Sequence, residues 1–186
     1  MGVTAAPTTG ARRAVPPQRK SIRLQGYDYT QAGAYFVTVC TQDRACLFGN
    51  ITNGEMRLND IGNIVAEEWA KTGEIRIGME LDAWVVMPNH FHAIIVIVDS
   101  RRRGDRPVAP TGPQPRSVGA VVAGFKSAAT KRINALRGTP GTTVWQRNYH
   151  EHIIRNEDSL GRIRQYILDN PTHWTMDREN PSMHSV

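Results

Sequence analysis

Hydrophobic and polar positions along the chain alternate in several short runs, which is the pattern of β-strands. Residues 34–42 (AYFVTVCTQ) are β-branched and aromatic, and the following LFGNITNGEMRLN contains the pair Asn53-Gly54, which is typical of a tight hairpin turn. The runs MELDAWVVMPN and HFHAIIVIVD are separated by Pro88-Asn89, which favours a turn. The pattern therefore predicts a strand, a hairpin and then an antiparallel central pair.

Three other segments carry hydrophobic residues at intervals of three and four positions, which predicts amphipathic helices. We expect Asp60 to cap the first helix, with Ile61, Ile64, Val65 and Trp69 on one face. Ser117 is expected to open the second helix, whose inward positions are Val118, Val121, Val122, Phe125, Ala129 and Leu136. The third helix lies within NEDSLGRIRQYILDN, and its apolar face consists of Leu160, Ile163, Ile167 and Leu168.

A further short extended segment is predicted within TTVWQRNYHEHIIRN, between the second and third helices. The order of these elements is then strand, helix, strand, strand, helix, strand, with an additional helix at the end. This order predicts an α+β fold, a ferredoxin-like sandwich in which two helices cover an antiparallel sheet. We expect residues 1–20 to be a disordered basic arm, residues 21–175 to be one domain with a flexible loop at 99–116, and residues 176–186 to be a fraying C-terminal tail.

Composition narrows the class of partner. The 23 Lys and Arg residues outnumber the 17 Asp and Glu residues, so the formal charge is +6, which favours a polyanion such as nucleic acid. Cys40 and Cys46 are the two cysteines, too few for a disulfide-stapled secreted domain. No uninterrupted apolar run reaches the roughly 18 residues of a membrane span. We expect a cytoplasmic, nucleoid-associated protein with no membrane partner.

The stretch MPNHFHAIIVIV places two histidines at the start of a strand. Side chains at positions i and i+2 of a strand point to the same face, so His90 and His92 project together while Phe91 points away. Two imidazoles in this arrangement can bind one divalent metal. A bare His-x-His is a weak signal, and the alternative is an exposed histidine beside one that is satisfied by a hydrogen bond.

The third helix presents a second pair of polar groups. Tyr166 and Asn170 lie one turn apart beside the apolar face, at the edge of the surface that the helix packs against the rest of the domain. An amide oxygen is an acceptable ligand for a hard cation such as Mg²⁺. The alternative is a boundary tyrosine with its hydroxyl in water and an asparagine that ends the helix before Pro171.

Three separated stretches, RKSIRLQGYDYTQAGAYFVTVCTQDR, MPNHFHAIIVIV and WQRNYHEHIIRNEDSLGRIRQYILDNP, resemble the REP-associated tyrosine transposases, which are relatives of the single-tyrosine HUH transposases. The resemblance implies a single-stranded DNA transposase that cleaves and rejoins DNA beside REP-type hairpins through a 5′-phosphotyrosine. It further implies that Tyr166 is the catalytic nucleophile and that His90, His92 and Asn170 hold a divalent metal, Mg²⁺ or Mn²⁺. Close transposase relatives often have Gln where this chain has Asn170.

The resemblance therefore implies single-stranded or hairpin DNA as the partner. We expect the chain to act as a monomer, with a dimer as the alternative. The expected DNA-binding residues are basic or aromatic and flank the core: Arg19, Lys20, Arg23, Tyr27, Tyr29, Lys126, Lys131 and Arg132. Tyr149 is a second candidate nucleophile, since His150 and His152 lie beside it.

Two rival classes remain. A histidine-triad nucleotide hydrolase would continue its histidines along the strand, but position 94 is Ile. A non-catalytic single-stranded nucleic-acid-binding module of ferredoxin-like fold would use the same basic helices and aromatic side chains without any chemistry.

Overall fold

The computed structural model describes residues 31–98 and 117–184. Within these ranges the elements are β1 (Gly33–Cys40), β2 (Gly49–Thr52), β3 (Glu55–Leu58), α1 (Asp60–Ile75), β4 (Met79–Val86), β5 (His90–Ile97), α2 (Val118–Arg137), β6 (His150–Ile154) and α3 (Glu157–Asp169). The predicted basic arm at 1–20 and the predicted loop at 99–116 lie outside the described residues. Within the described ranges, no helix has both the length and the apolar character needed to cross a membrane.

The main sheet has four antiparallel strands in the spatial order β4-β5-β1-β6. Counted along the chain without the small hairpin, this is the order 2-3-1-4 of a ferredoxin-like sandwich, so the predicted fold class is confirmed. Strand β2 pairs with β3 in a separate hairpin. Its turn has Asn53 and Gly54 at φ 52° and 76°, the left-handed conformation that this pair tolerates well.

Helices α1 and α2 cover one face of the sheet. Alternate residues of β5, including Phe91 and Ala93, point into this layer and are fully buried. The ring of Trp69 on α1 lies 4.9 Å from the ring of Phe91 and 5.1 Å from that of Phe125 on α2, measured between centroids. Burial of these three aromatic side chains supplies much of the hydrophobic driving force for this layer.

Helix α3 covers part of the opposite face. Its Ile167 packs with Ile94 of β5 and Ile154 of β6 in a smaller hydrophobic cluster. The guanidinium of Arg164 donates hydrogen bonds to both carboxylate oxygens of Asp82 on β4, at 2.6 and 3.0 Å. The apolar contact and the bidentate pair together fix the rotation of α3 about its axis.

Three expectations about individual residues are wrong. Asn59, rather than Asp60, caps α1, because its side chain accepts a hydrogen bond from the Gly62 amide. Leu136 is 54% exposed in the last turn of α2, and Ile133 takes the inward position. Leu168 is 65% exposed, because a rotation of 100° per residue carries it away from the buried Ile167.

Candidate functional site

The two motif histidines begin β5 on the face that α3 partly covers. Both rings are buried, and their centroids lie 4.5 Å apart. Strand alternation predicts this same-side placement, and it directs the imidazoles away from the larger core that contains Phe91. The start of β5 therefore presents two adjacent nitrogen ligands.

Asn89 orients the ring of His90. Its amide nitrogen donates to the backbone carbonyls of Arg44 and Glu179 at 3.0 and 2.6 Å, so its amide oxygen is left to accept from Nδ1 of His90 at 2.9 Å. This hydrogen bond places the ring proton on Nδ1 and leaves the lone pair on Nε2. The Nε2 atom is buried without a hydrogen-bond partner, 3.8 Å from Oδ2 of Asp177.

Thr38 plays the corresponding part for His92. It lies directly opposite His92 in the β1–β5 pairing, and its hydroxyl lies 2.8 Å from Nδ1. Phe36 stacks on the same imidazole at a centroid distance of 5.2 Å. A hydrogen bond to one ring nitrogen fixes the direction of the other, which is how metal-binding histidines are usually supported.

Tyr166 comes to the histidines from α3. The apolar face of α3 packs on the sheet and leaves Tyr166 on its flank, 48% exposed. Its ring makes edge contacts with Phe36 and His92, and its hydroxyl lies 3.4 Å from Nε2 of His92. The phenol oxygen is thus beside the second imidazole while the side chain remains open to an incoming substrate.

Asn170 follows Tyr166 by one turn, at the C-terminal end of α3. Its side chain is 3% exposed, and its amide oxygen is buried without a hydrogen-bond partner of good geometry. The amide is close enough to His90 and Tyr166 to influence the pKa of each. The predicted pair of tyrosine and amide on one helix flank is therefore brought to the histidines.

Asp177 is a residue of the site that sequence reasoning missed. It follows a short 3₁₀ segment, Trp174–Met176, and its side chain is 7% exposed. The ligand atoms of Asp177, His90 and His92 all lie within 4.8 Å of one another. Glu179, two residues later, forms an ion pair with Arg44 at 3.2 Å.

The expectation that the chain frays after residue 175 is therefore wrong for the described residues up to 184. Hydrogen bonds and ion pairs hold this segment, and Asn180 is buried. The signal that could have been used is the acidic pair in Asp177-Arg178-Glu179, but it has neither helical nor strand periodicity.

Burial decides the protonation of these groups. It lowers the pKa of His90 against the opposite influence of Asp177 and Glu179, and it lowers the pKa of His92 well below 6.5, with His90 adding to the effect. Burial also raises the pKa of Tyr166, and the carboxylate of Asp177 raises it further. At neutral pH the site therefore contains two neutral imidazoles and a protonated phenol.

This donor set fits a divalent cation. Two imidazole nitrogens and a carboxylate oxygen converge, and a buried amide oxygen lies beside them. His90 Nε2 and the Asn170 amide oxygen are unpartnered polar atoms in a buried site, where each costs free energy unless a ligand or ion satisfies it. Mixed nitrogen and oxygen ligation suits Mn²⁺ better than Mg²⁺, which prefers oxygen ligands.

A cleft of about 680 Å³ opens above these groups; we call it the site cleft. It is lined by residues of β1, β6, α3 and the C-terminal segment, among them Tyr166, His92, Asp177, His150 and Tyr149. The Tyr149 hydroxyl donates to Glu151 at 2.8 Å. Tyr166, rather than Tyr149, is therefore the phenol that lies next to the paired imidazoles.

The predicted DNA-binding residues of α2 lie on the other side of the sheet from the histidines. Arg132 forms ion pairs with Glu67 and Glu68 of α1 at 2.6 and 2.7 Å. Lys126 donates to the backbone carbonyls of Gln146 and Arg147. Lys131 is exposed, and the predicted residues Arg19, Lys20, Arg23, Tyr27 and Tyr29 lie outside the described residues.

Comparison with known proteins gives two informative likenesses, although no family model matches the chain. An uncharacterized protein of Haemophilus influenzae is 38% identical over 167 residues, which cover 86% of this chain and 92% of that one. A REP-associated tyrosine transposase whose structure was solved bound to a REP hairpin aligns with a TM-score of 0.57 and 21% identity, over 84% of this chain and 77% of that chain. At 21% identity, the similarity to the transposase structure shows a common fold.

Proposed function

The chain belongs to the same protein family as the Haemophilus influenzae protein and has the fold of a REP-associated tyrosine transposase, and on this premise we propose that it is a DNA strand-transferring enzyme. It cleaves and rejoins single-stranded DNA with the help of a divalent metal. The observation that carries the proposal is the meeting of Tyr166, two neutral imidazoles and a buried carboxylate at one open cleft.

The proposed nucleophile is the Tyr166 oxygen. After losing its proton to solvent, it attacks the phosphorus of a phosphodiester; a new tyrosine–phosphate bond forms, and the bond to the 3′ oxygen of the preceding nucleotide breaks. That oxygen takes up a proton and leaves as a 3′ hydroxyl, while the 5′ phosphate stays on Tyr166. Attack by another 3′ hydroxyl reverses the step and rejoins DNA without any added energy source.

His90, His92, Asp177 and Asn170 are the proposed metal-binding residues. A divalent cation held there would supply positive charge to the phosphate and to the departing oxygen. Asn89 and Thr38 hold the two imidazoles in position through their other ring nitrogens. Phe36 covers one side of His92 and limits the access of water to it.

The charge of Asp177 supports the need for a cation. In the metal-free protein this carboxylate raises the pKa of Tyr166, after the larger effect of burial, and so opposes formation of the phenolate. A bound cation would reverse the sign of the local field. The same residues that hinder the nucleophile without metal thus favour it once metal is bound.

The proposed substrate is a single strand that carries a REP-type hairpin, by analogy with the hairpin in the related structure. The net charge of +6 suits a polyanion. We further propose that the chain acts as a monomer in the cytoplasm, associated with the nucleoid.

The test is a covalent adduct. Wild-type protein incubated with Mn²⁺ and hairpin-bearing single-stranded DNA is expected to give a protein–DNA species that survives denaturation. The Tyr166→Phe variant and a chelator should each abolish it. Tyr149→Phe is the matched control, since it removes one hydroxyl from the same cleft, and it should leave the adduct in place.

Binding without an adduct in the presence of either Mg²⁺ or Mn²⁺ would refute the enzyme and favour the non-catalytic binding module. An adduct that survives Tyr166→Phe but disappears in Tyr149→Phe would identify Tyr149, which directly precedes β6, as the nucleophile.

A further inference from the structure

Two other cavities adjoin the site cleft. One of about 490 Å³ shares Arg44, Gln146 and Asn148 with the site cleft. The other, of about 740 Å³, lies between α2 and residues 138–147 and shares Gln146 and Arg147 with the first; we call it the α2 pocket. Because neighbouring cavities share lining residues, the three follow one another from Tyr166 past residues 146–148; we call this series of cavities the strand groove.

Two exposed cations flank the far end of the strand groove. Lys131 on α2 and Arg147 both line the α2 pocket. Among the described residues neither of these side chains takes part in an ion pair, in contrast to Arg132, which is paired with Glu67 and Glu68. Uncompensated cations beside a cavity are suited to bind phosphate groups.

The wall of the α2 pocket is mostly apolar. Pro140 and Val144 contribute apolar surface. The side chains of Trp145 and Asn134 also line the pocket, while the indole N–H and the amide oxygen are themselves buried behind its wall. The amide nitrogen of Asn134 donates to the carbonyl of Thr142 at 2.8 Å, which holds the turn against α2.

A mostly apolar slot with cations at its rim matches the chemistry of a nucleotide. A nucleobase has an apolar face and a hydrogen-bonding edge, and the attached phosphate is anionic. A duplex cannot insert a base without unpairing it, whereas a single strand has bases free to do so. Continuity with the Tyr166 cleft argues for the strand that is being cleaved, rather than for a separate small molecule.

We infer that this strand runs from Tyr166 along the strand groove and inserts an unpaired base into the α2 pocket, with its phosphates on Lys131 and Arg147. The inference rests on the proposed function and adds the route of the substrate. It gives Lys131 a role in strand binding, whereas Arg132 ties α2 to α1.

The experiment measures the affinity of the protein for two series of single-stranded DNAs. Both series include the cleavage site; one is extended stepwise on its 5′ side and the other on its 3′ side. Full-length Tyr166→Phe protein is used, so that no covalent step disturbs the equilibrium. We expect affinity to rise when the strand becomes long enough to reach the α2 pocket, and to fall again when the nucleotide at that position is abasic.

Two variants test the pocket in the same background. Lys131→Ala/Arg147→Ala should abolish the gain in affinity with strand length, which we expect to be about tenfold. The same double substitution should make the slope of log K against log salt concentration shallower by roughly 1.4, the value for two phosphate contacts. Ala135→Trp should also abolish it, because it fills the pocket without removing charge. The control Arg57→Ala/Lys71→Ala removes the same charge from β3 and α1, outside the three cavities, and should keep the gain.

Failure of this inference differs from failure of the proposed function. If adducts form but affinity does not depend on strand length, or if the Lys131/Arg147 and Ala135 variants keep the gain, the strand groove is wrong and the enzyme stands. If the gain in affinity with length is present but wild-type protein forms no adduct, the proposed chemistry is wrong and the binding route stands.

Discussion

The hydroxyl of Tyr166 lies 3.4 Å from Nε2 of His92, although the two residues are 74 positions apart in the sequence. The contact joins the flank of α3 to the start of β5, a central strand of the sheet. It places the phenol beside two imidazoles whose remaining nitrogens are held by Thr38 and Asn89.

Asp177→Asn should weaken Mn²⁺ binding at least tenfold, since removal of a ligand is expected to cost no less than loss of a supporting residue. It should also lower the pKa of Tyr166 in metal-free protein, because the Asp177 carboxylate raises it. Calorimetry measures the first effect and ultraviolet titration of the phenol the second. Asp158→Asn, at an exposed position in the first turn of α3, is the control; equal losses in both variants would argue against Asp177 as a ligand.

Thr38→Val should reduce Mn²⁺ affinity about tenfold without unfolding the protein. The substitution keeps the β-branched shape but leaves Nδ1 of His92 without its partner. Thr52→Val, on an exposed position of β2, is the matched control. Unchanged affinity in Thr38→Val would mean that Phe36 stacking alone orients the ring.

Asn89→Ala should lower the free energy of unfolding by about 3 kcal/mol, because it leaves buried groups without hydrogen bonds. The groups affected are Nδ1 of His90 and the carbonyls of Arg44 and Glu179. Urea denaturation measures the change. Asn63→Ala, an exposed position on α1, should stay within about 0.5 kcal/mol of wild type; a similar value for Asn89→Ala would refute the role of this amide.

Metal-free protein should lose stability as the pH falls below about 6.5. Burial lowers the pKa of His90 and His92 in the folded state, so the unfolded chain binds more protons between the folded and unfolded values, and the free energy of unfolding rises with pH there. The stabilisation is complete above the unfolded value and is lost as the pH falls through the folded values. Urea midpoints at about pH 7.5 and about pH 5.5 measure it.

The control for this prediction is His92→Asn, which removes one buried imidazole and should flatten the pH dependence. An unchanged slope would assign the effect to other groups.

Cys46 should react with iodoacetamide well before Cys40 at about pH 8. Burial, and after it Glu179, raise the pKa of the Cys40 thiol to about 12, so its thiolate is scarce. Cys46 is exposed, and burial raises its pKa to a lesser extent. Peptide mapping of alkylated protein gives the order, and faster labelling of Cys40 would mean that the C-terminal segment opens readily.

The histidine pair and the Tyr166–Asn170 pair could be predicted from the sequence, because each pair depends only on the side-chain repeat of a single strand or a single helix. Strand alternation places His90 and His92 on one face, and the helical repeat places Asn170 one turn beyond Tyr166. Neither repeat predicts that the two pairs are in contact, because this contact depends on the rotation of α3 about its axis against the sheet. That rotation is set by long-range contacts such as the pair between Arg164 and Asp82.

Asp177 and the strand groove were not predictable, for a related reason. Asp177 reaches the site through an irregular segment, where no repeat indicates which side chains point inward. Leu136 and Leu168 show the opposite failure, since each fits a hydrophobic repeat but lies where the sheet offers nothing to cover it. Periodicity identifies faces of an element, and tertiary packing decides which of them are covered.

Thr38 lies in the first strand of the sheet, and Asp177 lies beyond the last helix. During synthesis the ribosome must therefore make and release the segment after α3 before the histidines can meet their carboxylate. A nascent chain can already form the sheet and the layer of α1 and α2 at a stage when it is still unable to complete the proposed metal site. The order of translation thus delays assembly of the proposed metal site until the sheet and its helices are present.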